Sequence, residues 1–507
     1  MEIRDIQIGK YTLESLTTGM YSDPKIVYRE YIQNSVDSLE NAVSEGIIEP
    51  QSMRIDIVID EEEASITIKD NGTGISNKSA PNILTNVGNS SKRHSNNRGF
   101  RGIGRLGGMS YCDKLVFITS YDNEMLKTTI SFDCKRLREL LVPGQYDDMD
   151  MSTVLSEVTS VEIAEEKPEK HYFIVKMCNV NSFSDLLNIE VIKNYISQVA
   201  PVPYRTKRFL RTSEIHTYLS ENGYTIEEFP IFIGRRLDDL DPVFKPNKNR
   251  FQSNKNQKNE DEILNINFFD ITIDNETYAL GWYANCNWYG TLCDSELQGI
   301  RIRKGNILIG DNKTMNSIFS ESRFNGWVQG EIFVITDKLI PNARRDDFEQ
   351  NQAYFKLISE LKNTIGVEIG KTIREASKTR NDPFTKIEVE AAKKVYDAKT
   401  ILDEGFNSNV DKNDTIETLK KVKETLKKSK PKDKKQIERK NYLENEIDST
   451  LTQVTDSKNY KVNQLNSSID KKSKKIISVI TDVLSLKLSK KLVDEIISDI
   501  IKRINKK

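Results

Sequence analysis

Metal-binding side chains are scarce in this chain. Five cysteines (Cys112, Cys134, Cys178, Cys286 and Cys293) are scattered without a CxxC pair, and only His94, His171 and His216 could join them. A structural zinc site needs four such ligands at short spacings, so none is expected, and the thiols read as reduced cysteines of an intracellular protein. Long apolar runs are missing too, and none approaches the ~18 residues of a membrane span. Met1 is followed by the charged Glu2, Arg4 and Asp5 in place of an apolar leader. A cytoplasmic protein with no membrane partner is expected. Net charge is nearly absent: 75 basic and 76 acidic side chains leave −1. No global field steers the protein toward nucleic acid or lipid.

What is present points to several domains. A chain of 507 residues is too long for one ordinary core. Ile26 to Val43 carries helical periodicity. RIDIVID (54–60) and SITIKD (65–70) alternate as strands around an acidic turn, and KLVFITS (114–120), TTISF (128–132) and Tyr172–Met177 read as further strands. This uneven mixture predicts an α+β fold over the first part of the chain. Strand patterns recur at Phe268–Ile273, Thr277–Trp282, Gly299–Arg303 and Gly330–Thr336. Between the two regions, KPNKNRFQSNKNQKNEDE (245–262) is polar and predicts a mobile loop. Beyond Asp347 the pattern is helical, broken at Lys430–Pro431. The final apolar stripe, from Ile476 to Ile504, is too wide for one seam.

Three short motifs carry chemistry. In Arg29-Glu30-Tyr31-Ile32-Gln33-Asn34-Ser35-Val36-Asp37, Glu30 and Asn34 lie four apart and so share a helix face. A carboxylate there can orient and deprotonate a water, and an amide one turn on can hold a phosphate-bound magnesium ion. A solvated helix face explains ExxxN equally well by itself. Asp70-Asn71-Gly72-Thr73-Gly74 directly follows a strand. Its glycines allow close backbone approach to a flat ligand, and its Asp can accept from an exocyclic amine; a plain β-turn is the alternative. Gly99-Phe100-Arg101-Gly102-Ile103-Gly104, after Gly88-Asn89-Ser90-Ser91-Lys92, is a glycine-rich turn of the kind that cradles phosphates through N–H groups. It lacks the GK[ST] ending of a P-loop.

In this order and spacing the three motifs resemble the GHKL ATPase superfamily, named for gyrase, the heat-shock chaperone, histidine kinases and MutL. The resemblance covers about residues 20–135. It implies a Bergerat-type ATP-binding α/β sandwich over 1–185, ATP and magnesium as cofactors, and ATP hydrolysis as the activity. By that resemblance Glu30 is the general base, Asn34 the magnesium ligand and Asp70 the adenine contact. Asp37 matches a further acidic position in the chaperone's helix, and Gly72 and Gly74 match the glycines of the turn. Gly99, Arg101, Gly102, Ile103 and Gly104 would lie at the lid over the phosphates, with Ser91 and Lys92 beside them. The family often places a Thr on a later strand, bound through water to the adenine-reading Asp. The stretch His171–Lys176 offers none.

A second resemblance covers about residues 265–350. Leu339-Ile340-Pro341-Asn342-Ala343-Arg344-Arg345-Asp346 is similar to the middle-domain loop of the ninety-kilodalton heat-shock chaperone. It implies that Arg345 reaches the γ-phosphate, with Arg344 a close rival and Lys304 a further candidate. A guanidinium suits that task because it stays charged and grips phosphate as a fork. A turn with two solvated arginines is the alternative. Three domains follow: the ATP-binding domain at 1–185, a transducer or middle-like α+β domain at 186–348, and an α-helical, coiled-coil region at 349–507. The family likeness implies a dimeric, nucleotide-gated clamp with chaperone-like action on protein partners, a homodimer joined through the C-terminal helices. The alternative is a DNA clamp resembling the MORC or MutL ATPases, possible in prokaryotic genome defence. The lysine runs Lys427–Lys435 and Lys471–Lys475 favour it, although such runs are ordinarily solvated helix faces. A sensor histidine kinase would carry its ATPase after the phosphorylated helix, whereas here the ATPase comes first.

Overall fold

The computed structural model describes residues 9–12, 15, 23–86, 104–181, 185–256, 258–380, 382–431, 434–460, 471–485 and single positions up to 500. Contacts divide the chain into two compact units, Met1–Ile373 and Arg374–Lys507.

The first unit contains an eight-stranded sheet built from β1 (Ile55–Asp60), β2 (Ser65–Asp70), β3 (Lys114–Ser120), β4 (Leu126–Asp133), β5 (Thr159–Glu165), β6 (Tyr172–Cys178), β7 (Ile231–Gly234) and β8 (Leu240–Pro242). Their order is β5-β4-β3-β6-β2-β1-β7-β8. The sheet thus takes its last two strands from beyond residue 230, and β7 joins β1 in parallel. Period-two alternation fixes the register. Ile55 opposes Asp70 and Asp60 opposes Ser65, which turns Ile55, Ile57 and Ile59 to the buried face. The β1–β2 turn is closed by Ala64 in the left-handed region, at φ +46°.

Helices α1 (Ile26–Ser44), α2 (Ala80–Thr85), α3 (Cys134–Leu140), α4 (Met151–Val158) and α5 (Ile189–Val199) accompany this sheet, and α6 (Thr212–Glu221) stacks Tyr218 on Phe268 further along the chain. Val27, Tyr28, Tyr31, Ile32 and Val36 of α1, with Ile192 and Ile196 of α5, share one core with the strand isoleucines. The expected α+β class holds.

Strands β9 (Arg250–Ser253) and β10 (Asn259–Glu262) form a hairpin, and β11 (Asn265–Ile273), β12 (Glu276–Asn285), β13 (Gly299–Lys304), β14 (Ile307–Leu308) and β15 (Gln329–Val334) form a second sheet in the order β11-β12-β15-β13-β14. The hairpin corrects the expected mobile loop at 245–262. Phe251, Ser253 and Asp261 are buried there. Asp261 accepts from the backbone and side-chain nitrogens of Asn287, each at 3.0 Å, so hydrogen bonding orders a segment that composition marks as polar. Helices α7 (Gln352–Leu361) and α8 (Val367–Arg380) follow the last strand.

The second unit is helical. Helices α9 (Pro383–Glu404), α10 (Asn409–Lys428) and α11 (Lys434–Asp456) pack on one another, and α12 (Lys471–Ser485) follows. Phe384, Val395, Leu419, Leu426, Ile447 and Val454 make their core. Asp382 and Ser408 cap α9 and α10 by accepting from backbone N–H groups. No helix among the described residues is long and apolar enough to cross a membrane.

Candidate nucleotide site

Helix α1 brings the first motif together. The Asp23 side chain accepts from Lys25 N at 3.0 Å, and the core-facing side chains then fix the helix's rotation. Glu30 is left only 9% exposed, Asp37 is buried and Asn34 is half-buried. A Cβ at Gly104 would run into the Glu30 carboxylate, so any larger residue there would push that side chain from its place. The Tyr31 hydroxyl ties the same segment down. It donates to Arg105 O at 3.1 Å and accepts from Gly108 N at 3.1 Å.

The second motif caps β2 and lies against α1. Asp70 is 1% exposed, and its Oδ1 accepts from Gly72 N at 3.0 Å. Burial lifts the Asp70 carboxyl to about 7, against the opposing pull of Ser35, the Gly72 N–H, Ser38 and Lys69. Thr73 N donates to Ser38 O at 3.3 Å, which couples the turn to the helix. Asn71 pins it from the other side, accepting from Arg54 N and donating to Ser52 O, both at 2.8 Å. Gly74 has φ +67° and faces Ser120 O so closely that a Cβ cannot be accommodated. The His171 ring meets Gly72 O at 2.8 Å, in the stretch where the family's Thr was missing. No local sequence signal marks His171 for this contact, since the family likeness points there to a hydroxyl.

The loop at 339–348 reaches this helix from the second sheet. Pro341 bridges to Phe348, Asn342 N donates to Asp347 O at 2.9 Å, and Arg345 stands at φ +54°. Arg29 grips the loop through its guanidinium. One terminal nitrogen donates to Arg344 O at 2.7 Å and the other to Arg345 O at 3.4 Å. Arg345 Nε then lies 3.9 Å from Glu30 Oε1, with both side chains 11% exposed. Arg344 instead points outward to Asp346 at 3.1 Å and is 59% exposed. Lys304 is occupied elsewhere, donating to Thr336 O at 2.7 Å and pairing with Asp337 at 3.2 Å. Arg29 itself drew no attention in the sequence, since nothing local distinguishes a loop-gripping arginine from a solvated one. Beside the loop is a cavity of about 420 Å³ lined by Asp23, Arg29, Tyr195, Gln198, Arg344 and Asp346, among others. Burial raises the Tyr195 phenol, with Arg29 opposing and Asp23 and Glu30 adding to the rise.

Gly104 and Arg345 thus stand beside Glu30, while the turn carrying Asp70, Gly72 and Gly74 meets α1 at Ser35 and Ser38, with Asn34 and Asp37 on the same helix. Ser91, Lys92, Gly99, Arg101, Gly102 and Ile103 lie outside the described residues. The donor set suits a magnesium nucleotide. A single amide, Asn34, beside phosphate oxygens fits an ion that keeps few protein ligands. Among the described residues no three His, Cys, Asp or Glu side chains converge to hold a metal by themselves.

Residues 21–158 match the family described as histidine kinase-, DNA gyrase B- and HSP90-like ATPase. The chaperone protein HtpG of Acinetobacter baylyi is 34% identical over 84 residues, which span 15% of this chain and 13% of the chaperone. Residues 21–158 are therefore an ATPase domain of the histidine kinase, DNA gyrase B and HSP90-like family, with a likeness to its HSP90 class.

Proposed function

We propose that this chain hydrolyses ATP at the α1–β2 site and uses the cycle to open and close a dimeric clamp on protein partners. The observation that carries the reading is the Glu30 carboxylate, enclosed by Gly104, Arg29 and Arg345 and left with one oxygen, Oε1, lacking a hydrogen-bond partner. A buried base with an open oxygen can take a proton from an in-line water. Asp70 accepts from the adenine amine, and Gly72 and Gly74 let the base approach the backbone. Asn34 would hold magnesium, which when bound neutralises phosphate charge. Asp37 supports that face, while Gly99, Arg101, Gly102, Ile103 and Gly104, with Ser91 and Lys92, close over the phosphates.

Arg345 is the guanidinium for the γ-phosphate, favoured over Arg344 by its position beside Glu30 and over Lys304 by that residue's other engagements. Arg345 and Arg29 both face Glu30. Nucleotide phosphates offer Arg345 a second anion, which frees the carboxylate for the water. The proposed domains are 1–185 for ATP binding, 186–348 as transducer and 349–507 for dimerisation, in a cytoplasmic homodimer.

The test is turnover by Glu30→Ala. Its rate should fall by roughly 10²–10⁴-fold with nucleotide binding nearly intact, and wild-type turnover would dismiss the assignment. Adding closed circular DNA to the same assay separates a protein remodeller from a DNA clamp, because only the latter is retained on the circle in an ATP-dependent, salt-sensitive way.

A further inference from the structure

Gln33 sits on α1 one turn after Glu30. It is 2% exposed, and neither Nε2 nor Oε1 of its amide has a hydrogen-bond partner. Two more atoms on the same stretch make no hydrogen bond, Arg29 Nε and Glu30 Oε1, which face each other at 3.9 Å as an ion pair. Spacings of three and four residues place Gln33 on the same side of the helix as both. Burying an amide with none of its hydrogen bonds made is costly, and native interiors rarely tolerate it without a water or ligand to complete the set. Three such groups together point to polar molecules that bind there.

The reaction requires one. A water attacking phosphorus must keep a lone pair for the bond it forms, so both of its O–H bonds need acceptors. Glu30 is one acceptor. Arg29 and Arg345 can only donate, Gly104 has no side chain, and Asp37, a turn further on, is already engaged. We propose that the Gln33 carbonyl oxygen is the second acceptor and holds the attacking water in line beside Glu30. In the step, the water oxygen bonds to the γ-phosphorus as the bond to the ADP oxygen breaks. One water proton passes to Glu30, and the other stays on the new phosphate oxygen, still hydrogen-bonded to Gln33. The assignment rests on Glu30 being the base.

The experiment measures ATP turnover, KM and thermal midpoint of the full chain with Gln33→Met, Gln33→Leu and Gln33→Glu beside Glu30→Ala. Methionine and leucine remove both amide groups, so kcat should drop about 10–10²-fold with KM for ATP changed by less than about threefold. Their thermal midpoints should hold or rise, since an unsatisfied amide has gone. Glutamate keeps an acceptor oxygen at the same reach and should recover more turnover than either apolar variant. Parallel loss of stability and activity would mean a merely structural residue and overturn the inference. So would wild-type kcat in Gln33→Met or Gln33→Leu, or failure of both to fold. If Glu30→Ala still turns over ATP, the underlying reading of the base is what fails.

Discussion

At the scale of single residues, Asp70 makes the sharpest demand. Its burial holds the carboxyl at about 7, well above the ordinary 3.8. The protonated form keeps one carbonyl oxygen but accepts from an adenine amine more weakly than the carboxylate does, so binding favours loss of the proton where the free pocket carries one. Nucleotide affinity should therefore fall as pH drops below about 7, by less than about tenfold per unit, which ADP titration by calorimetry at several pH values would measure. Affinity unchanged between pH 7.5 and 5.5 would remove Asp70 from base recognition. Stability runs the other way. The folded-state pKa is raised, so the contribution is fully present below the unfolded value and is lost as pH rises through about 7. Asp70→Asn should accordingly raise the melting temperature at pH 8 more than at pH 5, while weakening ADP binding by about 10²-fold. Asp70 was legible in the sequence because Asp-x-Gly-x-Gly after a strand states both its turn and its chemistry. Gln33 was not legible, because an amide beside an obvious Asn declares itself only when its partners are found missing.

At the scale of elements, the loop at 339–348 and helix α1 act as a pair. Arg29 donates to the carbonyls of Arg344 and Arg345, so one side chain sets where Arg345 stands relative to Glu30. Arg29→Ala should lower kcat about tenfold or more and leave nucleotide affinity within a few-fold, since nothing that touches adenine has changed. Lysine should not rescue it, because a point donor cannot span two carbonyls. Full activity in Arg29→Ala would mean that the loop finds its place without this grip.

A second element-scale device joins the segment after β8 to the second sheet. Glu331 lies buried between Arg303 at 2.6 Å and Lys245 at 2.8 Å, with the Tyr204 hydroxyl also donating to it. Burial alone would raise its carboxyl, yet Arg303, Lys245 and the hydrogen bonds from Lys245 and Tyr204 bring it down to about 2. Its contribution is present above the ordinary 4.5 and is lost as pH falls toward about 2. Glu331→Gln strands two buried cations and should cost about 3–5 kcal/mol, seen as a lower urea midpoint. An unchanged midpoint would mean that water reaches the cluster. Strand periodicity revealed β13 and β15, but no local pattern couples Lys245 to Glu331 across 86 residues. The hairpin β9–β10 escaped notice for a related reason, since its order comes from hydrogen bonds made at Asp261 and not from apolar spacing.

At the scale of the whole molecule, the proposed homodimer needs a surface that holds two copies together. Helix α12 buries Ile477 and Thr481 but leaves Ile476, Val479 and Val483 about half exposed. Those three recur at spacings of three and four, a continuous apolar stripe on the side away from the buried residues. Sequence periodicity made the stripe visible in advance, and its excess width over one seam is explained if the second side meets another protomer. Replacing Ile476, Val479 and Val483 together by lysine spares the buried side and the core formed by Phe384, Leu419, Leu426 and Ile447. Sedimentation velocity should then show a monomer for the variant against the proposed dimer for the unaltered chain, with the helical circular dichroism retained. ATP turnover per chain should become dependent on protein concentration, because the clamp now closes only on encounter. A triple variant that remains dimeric with unchanged turnover would place the permanent contact elsewhere and leave the stripe without a role in assembly.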